Sequence, residues 1–107
     1  MKQISPADLS AWLADGGRAR PLLLDVREPW EFQTCRIAGS THVPMNQVAA
    51  RKDELNDAAD VVVICHHGGR SMQVAMFLEK NGFSKVHNLA GGVDQWAKTV
   101  DPSMPVY

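Results

Sequence analysis

The sequence predicts an α/β fold with a mostly parallel central sheet flanked by helices on both faces. Two apolar runs, 22–24 and 61–64, are continuous rather than alternating, which is typical of strands buried on both faces. Segments with helical periodicity alternate with such runs along the chain. Strands that alternate with helices form parallel sheets with right-handed crossovers. A three-layer arrangement is therefore expected.

Size and charge predict one globular domain over residues 1–107, because a domain usually has roughly 100 to 200 residues. The chain has 11 basic and 12 acidic residues and a formal net charge of -1. This balance offers no basic field to attract nucleic acid or anionic lipid, so neither is expected as a partner. The N-terminus lacks the apolar core of a secretory signal, and no segment approaches a membrane span. We expect a cytoplasmic protein.

The first element is a predicted helix that begins after Ser5. Ser5 is a suitable N-cap and Pro6 a suitable first-turn residue. Apolar residues at 9, 12 and 13 fall on one helical face, and the glycines at 16 and 17 end the pattern. The apolar runs that follow are predicted strands, one ending in Asp25 and the other in Cys65.

The second half of the chain predicts two more helices and one more strand. A largely apolar helical pattern begins at Ser71 and ends at 81–82, where Asn-Gly supplies a C-cap. A strand is predicted at 86–89, then a Gly-Gly turn, then a helix over 93–98 with Trp96 facing the core.

Cys65 stands at the end of a predicted central strand, where open parallel sheets bind ligands. Glycines in the loop after it are able to adopt positive φ, so that backbone N–H groups converge into an anion site. The following helix N-terminus and Arg70 add positive charge, and such a field favours the thiolate. Cys65 is the candidate nucleophile; the structural alternative is a small hydrophobe that completes a core strand.

The segment CHHGGR, residues 65–70, resembles the active-site loop of the rhodanese family of sulfurtransferases. In that loop a cysteine, four residues and an arginine lie between a strand and a helix. Further segments resemble the same family in the same order, namely SPADLSAWL, LLLDVREPWEF, IAGSTHVP and NLAGGVDQW. The resemblance implies a single rhodanese domain with a rhodanese-like three-layer fold.

The resemblance also implies an activity. Cys65 would take a sulfane sulfur from a donor such as thiosulfate, become a persulfide, and pass the sulfur to a thiol, a protein or, in vitro, cyanide. Transfer in two halves is nucleophilic catalysis and needs no cofactor. Arg70 would orient an anionic donor. The implied binding loop for substrate and persulfide consists of His66, His67, Gly68, Gly69, Arg70 and Ser71.

Asp25, Arg27 and Arg36 are candidate residues of the pocket rim. For Asp25 and Arg27 the alternative is structural: they cap a helix and pair charges to hold the loops. Arg36 lies in the one stretch that departs from the family pattern, because relatives usually read Gly-His where this chain reads Cys-Arg before an isoleucine.

The other cysteine of the chain, Cys35, lies in this departing stretch, and two interpretations are open for it. It acts as a resolving thiol that accepts the sulfur or forms a disulfide with Cys65, or it is passive. No C-x-x-C pairing is present.

No metal is expected at the loop. Cys65, His66 and His67 are consecutive, so they do not readily converge on one tetrahedral ion, and no further acid or histidine lies at ligand spacing. The histidines either tune the ionisation of the thiol or serve mainly through their backbone amides.

Two other functions compete with sulfur transfer. Cysteine-dependent phosphatases and arsenate reductases also hold an oxyanion in such a loop, but the phosphatases resemble one another in having five residues between cysteine and arginine, whereas this chain has four. A regulatory binding module would keep the fold without turnover, but it would be expected to lose the cysteine.

Overall fold

A computed structural model describes all 107 residues. The strands and helices are, in chain order, β1 (Lys2–Ile4), α1 (Pro6–Ala14), β2 (Leu22–Asp25), α2 (Pro29–Thr34), β3 (Thr41–His42), α3 (Val48–Arg51), β4 (Val61–Ile64), α4 (Gly69–Lys80), β5 (Val86–Leu89) and α5 (Gly92–Thr99). Short 3-10 turns flank α3. None of the helices is both long and apolar enough to cross a membrane.

The five strands form one sheet in the order β1-β5-β4-β2-β3, and every neighbouring pair is parallel. The α/β prediction is confirmed, and the sheet is entirely rather than mostly parallel. Asp25 is in register with Ile64, and Val63 with Asn88. The carboxyl ends of the three central strands therefore meet at one edge, which places the residue after β4, Cys65, beside the ends of β2 and β5.

Two apolar clusters on opposite faces of the sheet form the core. Successive side chains of β4 alternate between them, with Val62 in one cluster and Val63 in the other. The first cluster includes Trp12 of α1 and Trp96 of α5, and the second includes Leu78 of α4. Burial on both faces explains why β4 is a continuous apolar run.

Helix ends follow the local signals with small shifts. The Ser5 hydroxyl accepts a hydrogen bond from the Asp8 N–H at 3.1 Å, which confirms the N-cap. The helix predicted from Ser71 begins two residues earlier, at Gly69, because Gly68 in the left-handed region supplies the turn that precedes it. Trp96 faces the core as expected, with 7% of its surface exposed.

Candidate active site

Cys65 lies directly after β4 and is 1% exposed. Its Sγ accepts a hydrogen bond from the Gly68 N–H at 3.1 Å, and its thiol donates to Ser71 Oγ at 3.3 Å. Gly68 has a φ of 103°, a left-handed conformation that glycine adopts without strain. Gly69 does not share this conformation and instead begins α4. One of the two loop glycines therefore aims an amide at the sulfur, and the other opens the helix.

A polar chain behind the sulfur fixes the Ser71 hydroxyl. Ser71 Oγ contacts Asn88 Oδ1, while Asn88 Nδ2 donates to the Gly68 carbonyl at 3.2 Å and to Gln3 Oε1 at 3.0 Å. Because the amide oxygen only accepts, the serine hydroxyl donates to it and offers a lone pair to the thiol. The sequence analysis did not single out Asn88, although a polar residue among apolar ones in a predicted strand indicates a side chain with a specific hydrogen-bond partner.

The N-terminus of α5 holds the other side of the cysteine loop. The Val93 N–H donates to the Cys65 carbonyl at 2.9 Å, and the Asp94 N–H donates to the His66 carbonyl at 3.0 Å. Gly92 makes this approach possible, since a Cβ on it would lie 2.3 Å from the Cys65 carbonyl oxygen. The loop is thus anchored from both sides, by β5 through Asn88 and by α5.

Arg70 at the start of α4 is paired with a carboxylate that the sequence did not single out. Its Nη1 and Nη2 donate to Oε1 and Oε2 of Glu31 at 2.7 and 2.9 Å. Glu31 is 3% exposed, and its Oε1 also accepts from the Glu28 N–H at 3.0 Å. The hydrogen bonds from Arg70 outweigh the effect of burial and lower the pKa of Glu31 to about 2. Glu31 therefore stays ionised.

Tyr107 packs over the loop and joins it to the pair of Arg70 and Glu31. Its hydroxyl donates to Glu31 Oε2 at 2.8 Å. Its ring stacks on His66 with 4.0 Å between centroids, and Trp30, 59% exposed, meets it edge-on at 5.5 Å. We call Trp30, Tyr107 and His66 the aromatic rim. Burial and the neighbouring His67 lower the pKa of His66, which disfavours the charged form of this ring.

The family model for the Rhodanese-like domain matches residues 5–99. The chain belongs to the rhodanese-like family. It is 35% identical over 98 residues to a sulfurtransferase of Allochromatium vinosum, covering 92% of this chain and 90% of that protein. It is 33% identical to the thiosulfate sulfurtransferase GlpE of Pseudomonas entomophila, covering 92% and 86%. These relatives support rhodanese-family sulfur transfer as the general activity.

The fold agrees with solved rhodanese structures. A crystal structure of a rhodanese-like domain protein from Staphylococcus aureus superposes with a TM-score of 0.84 at 25% identity, over 100% of this chain and 99% of that one. Three curated relatives that are 38–40% identical are longer proteins, and this chain spans 30%, 40% and 64% of their lengths.

Within this rhodanese fold, Asp25 and Arg27 lie beneath the site. Both are 0% exposed, so the prediction that they line the pocket rim is corrected. Arg27 Nε and Nη2 donate to the two Asp25 oxygens at 2.9 and 2.7 Å, and Nη1 donates to the Tyr107 hydroxyl at 2.9 Å. Burial alone would lower the pKa of Arg27, but these hydrogen bonds outweigh it and raise that pKa.

Arg36 is exposed but faces away from the cysteine loop. Its guanidinium lies over the Phe32 ring, 4.7 Å from the centroid. It lines a groove with Arg20, Trp96 and Met104, to which residues 65–71 contribute nothing. The prediction that Arg36 belongs to the rim of the Cys65 site is therefore corrected as well.

The two cysteines are free thiols in different core clusters. Cys35 packs on the α1 and α5 face of the sheet, and its Sγ accepts from Arg27 Nη1 at 3.8 Å. Cys65 packs on the α4 face. A disulfide between them would have to bridge the two faces, so the arrangement gives the resolving role no support.

An acid does lie beside the two loop histidines, contrary to the expectation from spacing alone. α5 brings Asp94 to them, and one ligand atom from each of His66, His67 and Asp94 lies within 4.8 Å of the others. The two histidine rings lie 3.8 Å apart between centroids and are tilted by 32° to each other. The Asp94 carboxylate is already bound by Lys98 Nζ at 3.1 Å. We assign no metal to this group.

Proposed function

We propose that residues 1–107 form a single-domain rhodanese that carries sulfane sulfur on Cys65 as a persulfide, between a small donor such as thiosulfate and a thiol or protein acceptor. The observation that carries the proposal is the setting of Cys65 Sγ, which accepts the Gly68 N–H at 3.1 Å at the N-terminus of α4. An amide and a helix N-terminus stabilise an anionic sulfur.

In the first half-reaction the Cys65 thiol loses its proton to solvent and the thiolate attacks the outer sulfur of the donor. The donor S–S bond breaks and its electron pair leaves with the departing group, which is sulfite when the donor is thiosulfate. The outer sulfur of the new persulfide carries the charge. Ser71 is able to turn its hydroxyl from Asn88 toward this anion, since the contacts of Cys65, Ser71 and Asn88 form one chain.

In the second half-reaction a thiophilic acceptor attacks the outer sulfur of the persulfide. The sulfur–sulfur bond to Cys65 breaks, the thiolate leaves with the electron pair, and the enzyme returns to its starting state. Cyanide serves as the acceptor in vitro and gives thiocyanate. No cofactor takes part, because the thiol alone forms and breaks both bonds.

The cytoplasm is the proposed location of this reaction. The proposed chemistry needs Cys65 as a reduced thiol, and cytosolic reductants keep thiols in that state. The short interval of four residues between Cys65 and Arg70 favours a single sulfur over a phosphoryl group as the bound species.

The proposal is tested by intact mass spectrometry after brief thiosulfate treatment, followed by cyanide. We expect a gain of about 32 mass units that peptide mapping places on Cys65 and that cyanide removes. Cys65→Ser, nearly isosteric, should abolish the gain and the formation of thiocyanate with the fold intact. Cys35→Ser is the matched control and should keep both. A folded, reduced wild type without the adduct would favour the binding-module alternative.

A further inference from the structure

We infer that Glu31 is a specificity-determining residue, which neutralises Arg70 at the mouth of the site so that the domain favours organic sulfane sulfur donors with one negative charge over dianionic thiosulfate. The inference rests on the proposed function and narrows its donor class.

The Arg70 guanidinium is committed to Glu31 rather than free for a substrate. Its two terminal nitrogens each donate to one carboxylate oxygen, Nη1 to Oε1 at 2.7 Å and Nη2 to Oε2 at 2.9 Å. The carboxylate is 3% exposed and is held further by the Tyr107 hydroxyl and the Glu28 N–H. A bidentate, charge-assisted pair of this kind is among the stronger polar contacts in proteins. The only arginine of the cysteine loop therefore brings little net charge to the mouth.

The other cations around the loop are also paired. Arg27 is buried against Asp25, and Lys98 lies 3.1 Å from Asp94. The exposed ring of His67 lies 4.0 Å from the same Asp94 carboxylate. The positive potential that remains comes from backbone amides and from the N-terminus of α4, which amounts to roughly half a charge. Such a potential suits one negative charge better than two.

The aromatic rim gives an organic donor a surface that an inorganic anion does not use. Trp30 is 59% exposed and meets Tyr107 edge-on, and His66 stacks on the same tyrosine. Contact of an organic group with these rings removes apolar area from water. Charge and surface therefore point to the same donor class.

The experiment compares thiosulfate with methanethiosulfonate, in which a methyl group replaces one oxyanion, so that the two donors have similar size and differ by one charge. Formation of thiocyanate gives kcat/KM for each donor in wild type and in Glu31→Gln. We define the ratio as kcat/KM for thiosulfate divided by kcat/KM for methanethiosulfonate. This ratio should rise about tenfold in the variant, because a negative charge is removed at the mouth of the site. Comparing ratios cancels the intrinsic reactivity of the donors.

Asp53→Asn is the matched control, because it removes the same charge at an exposed position on the 3-10 turn after α3. It should leave the ratio unchanged. Arg70→Gln is a second variant that leaves Glu31 without its cation, and it should lower the ratio about tenfold. This variant keeps the inference testable if Glu31→Gln does not fold.

An unchanged ratio in folded Glu31→Gln, or an equal loss for both donors in Arg70→Gln, would overturn the inference while leaving sulfur transfer by Cys65 in place. A wild type that forms no persulfide with either donor would overturn the proposed function, and the inference with it. The two failures are thus distinguishable.

Discussion

Two bidentate ion pairs lie one above the other in this site and differ in burial. The lower pair, Asp25 and Arg27, is 0% exposed on both side chains. In the upper pair, Glu31 is 4% exposed at the side chain, but Arg70 is 36% exposed. Tyr107 joins the two, since its hydroxyl accepts from Arg27 and donates to Glu31.

The difference in burial is the reason why we propose a structural role for the lower pair and substrate selection for the upper pair. Each side-chain nitrogen of Arg27 donates a hydrogen bond inside the protein. The acceptors are Asp25, the Tyr107 hydroxyl and the Cys35 carbonyl, the last at 2.6 Å. A buried charge requires this, because the loss of hydration must be offset by hydrogen bonds. Arg70 binds one carboxylate, and 36% of its side chain is exposed to solvent.

The largest effect should come from Arg27→Ala. The change leaves the buried Asp25 carboxyl without its partner, and breaking such a pair destabilises proteins by about 3–5 kcal/mol. Urea denaturation of the variant measures the loss in the free energy of unfolding.

Arg70→Ala makes the same chemical change in the upper pair and is the comparison for Arg27→Ala. Glu31 keeps two hydrogen bonds there, from Tyr107 and from the Glu28 N–H, so we expect a loss of about 1–2 kcal/mol. Equal losses in the two variants would contradict the distinction between the pairs.

An effect at least as large as that of Arg70→Ala should appear when the upper pair is titrated, because protonation of Glu31 weakens its hydrogen bonds from Tyr107 and the Glu28 N–H as well as those from Arg70. The pKa of Glu31 is lowered from 4.5 to about 2 by the Arg70 hydrogen bonds. Its stabilisation, on the order of 3 kcal/mol, is therefore fully present above about pH 4.5 and is lost as pH falls toward 2. Unfolding free energies measured from pH 7 to pH 3 should show this loss. In Glu31→Gln this component should be missing, and an identical pH profile in both proteins would contradict the assignment.

The smallest effect should come from Cys35→Ala, at the edge of the lower pair. The thiol accepts one long contact of 3.8 Å from Arg27, and the change removes a single buried sulfur. We expect a loss of about 1 kcal/mol and unchanged sulfur transfer to thiols. A large decrease in that transfer, measured with glutathione as the acceptor, would revive the resolving role.

The fold was predictable from the sequence for the strands that are covered by apolar side chains on both faces of the sheet. β2, β4 and β5 were found because they lie inside the sheet with apolar neighbours on both faces. β1 and β3 were missed, because they are edge strands whose short segments, Lys2–Ile4 and Thr41–His42, contain mostly polar and exposed residues. An edge strand forms through its pairing with β5 or β2, and local sequence does not record that pairing.

The candidate site was also predictable only in part, namely for the residues that lie close together in the sequence. Cys65, Gly68, Arg70 and Ser71 were predicted because the loop carries its chemistry within seven consecutive residues. Glu31 contacts Arg70 across 39 positions, and it was missed because only tertiary packing brings α2 beside α4. Asp25 and Arg27 were predicted at the correct edge of the sheet. Their burial depends on side chains that are distant in the sequence, such as Tyr107, and could not be predicted from the local sequence.

The anchor on α5 has a consequence for the order in which the molecule is built on the ribosome. Translation releases residues 65–71 well before Gly92, Val93 and Asp94, whose amides hold the carbonyls of Cys65 and His66. A nascent chain that stops before residue 92 contains every loop side chain but lacks this support. The Cys65 thiol is therefore expected to acquire the surroundings described here only after α5 has been synthesised and has docked.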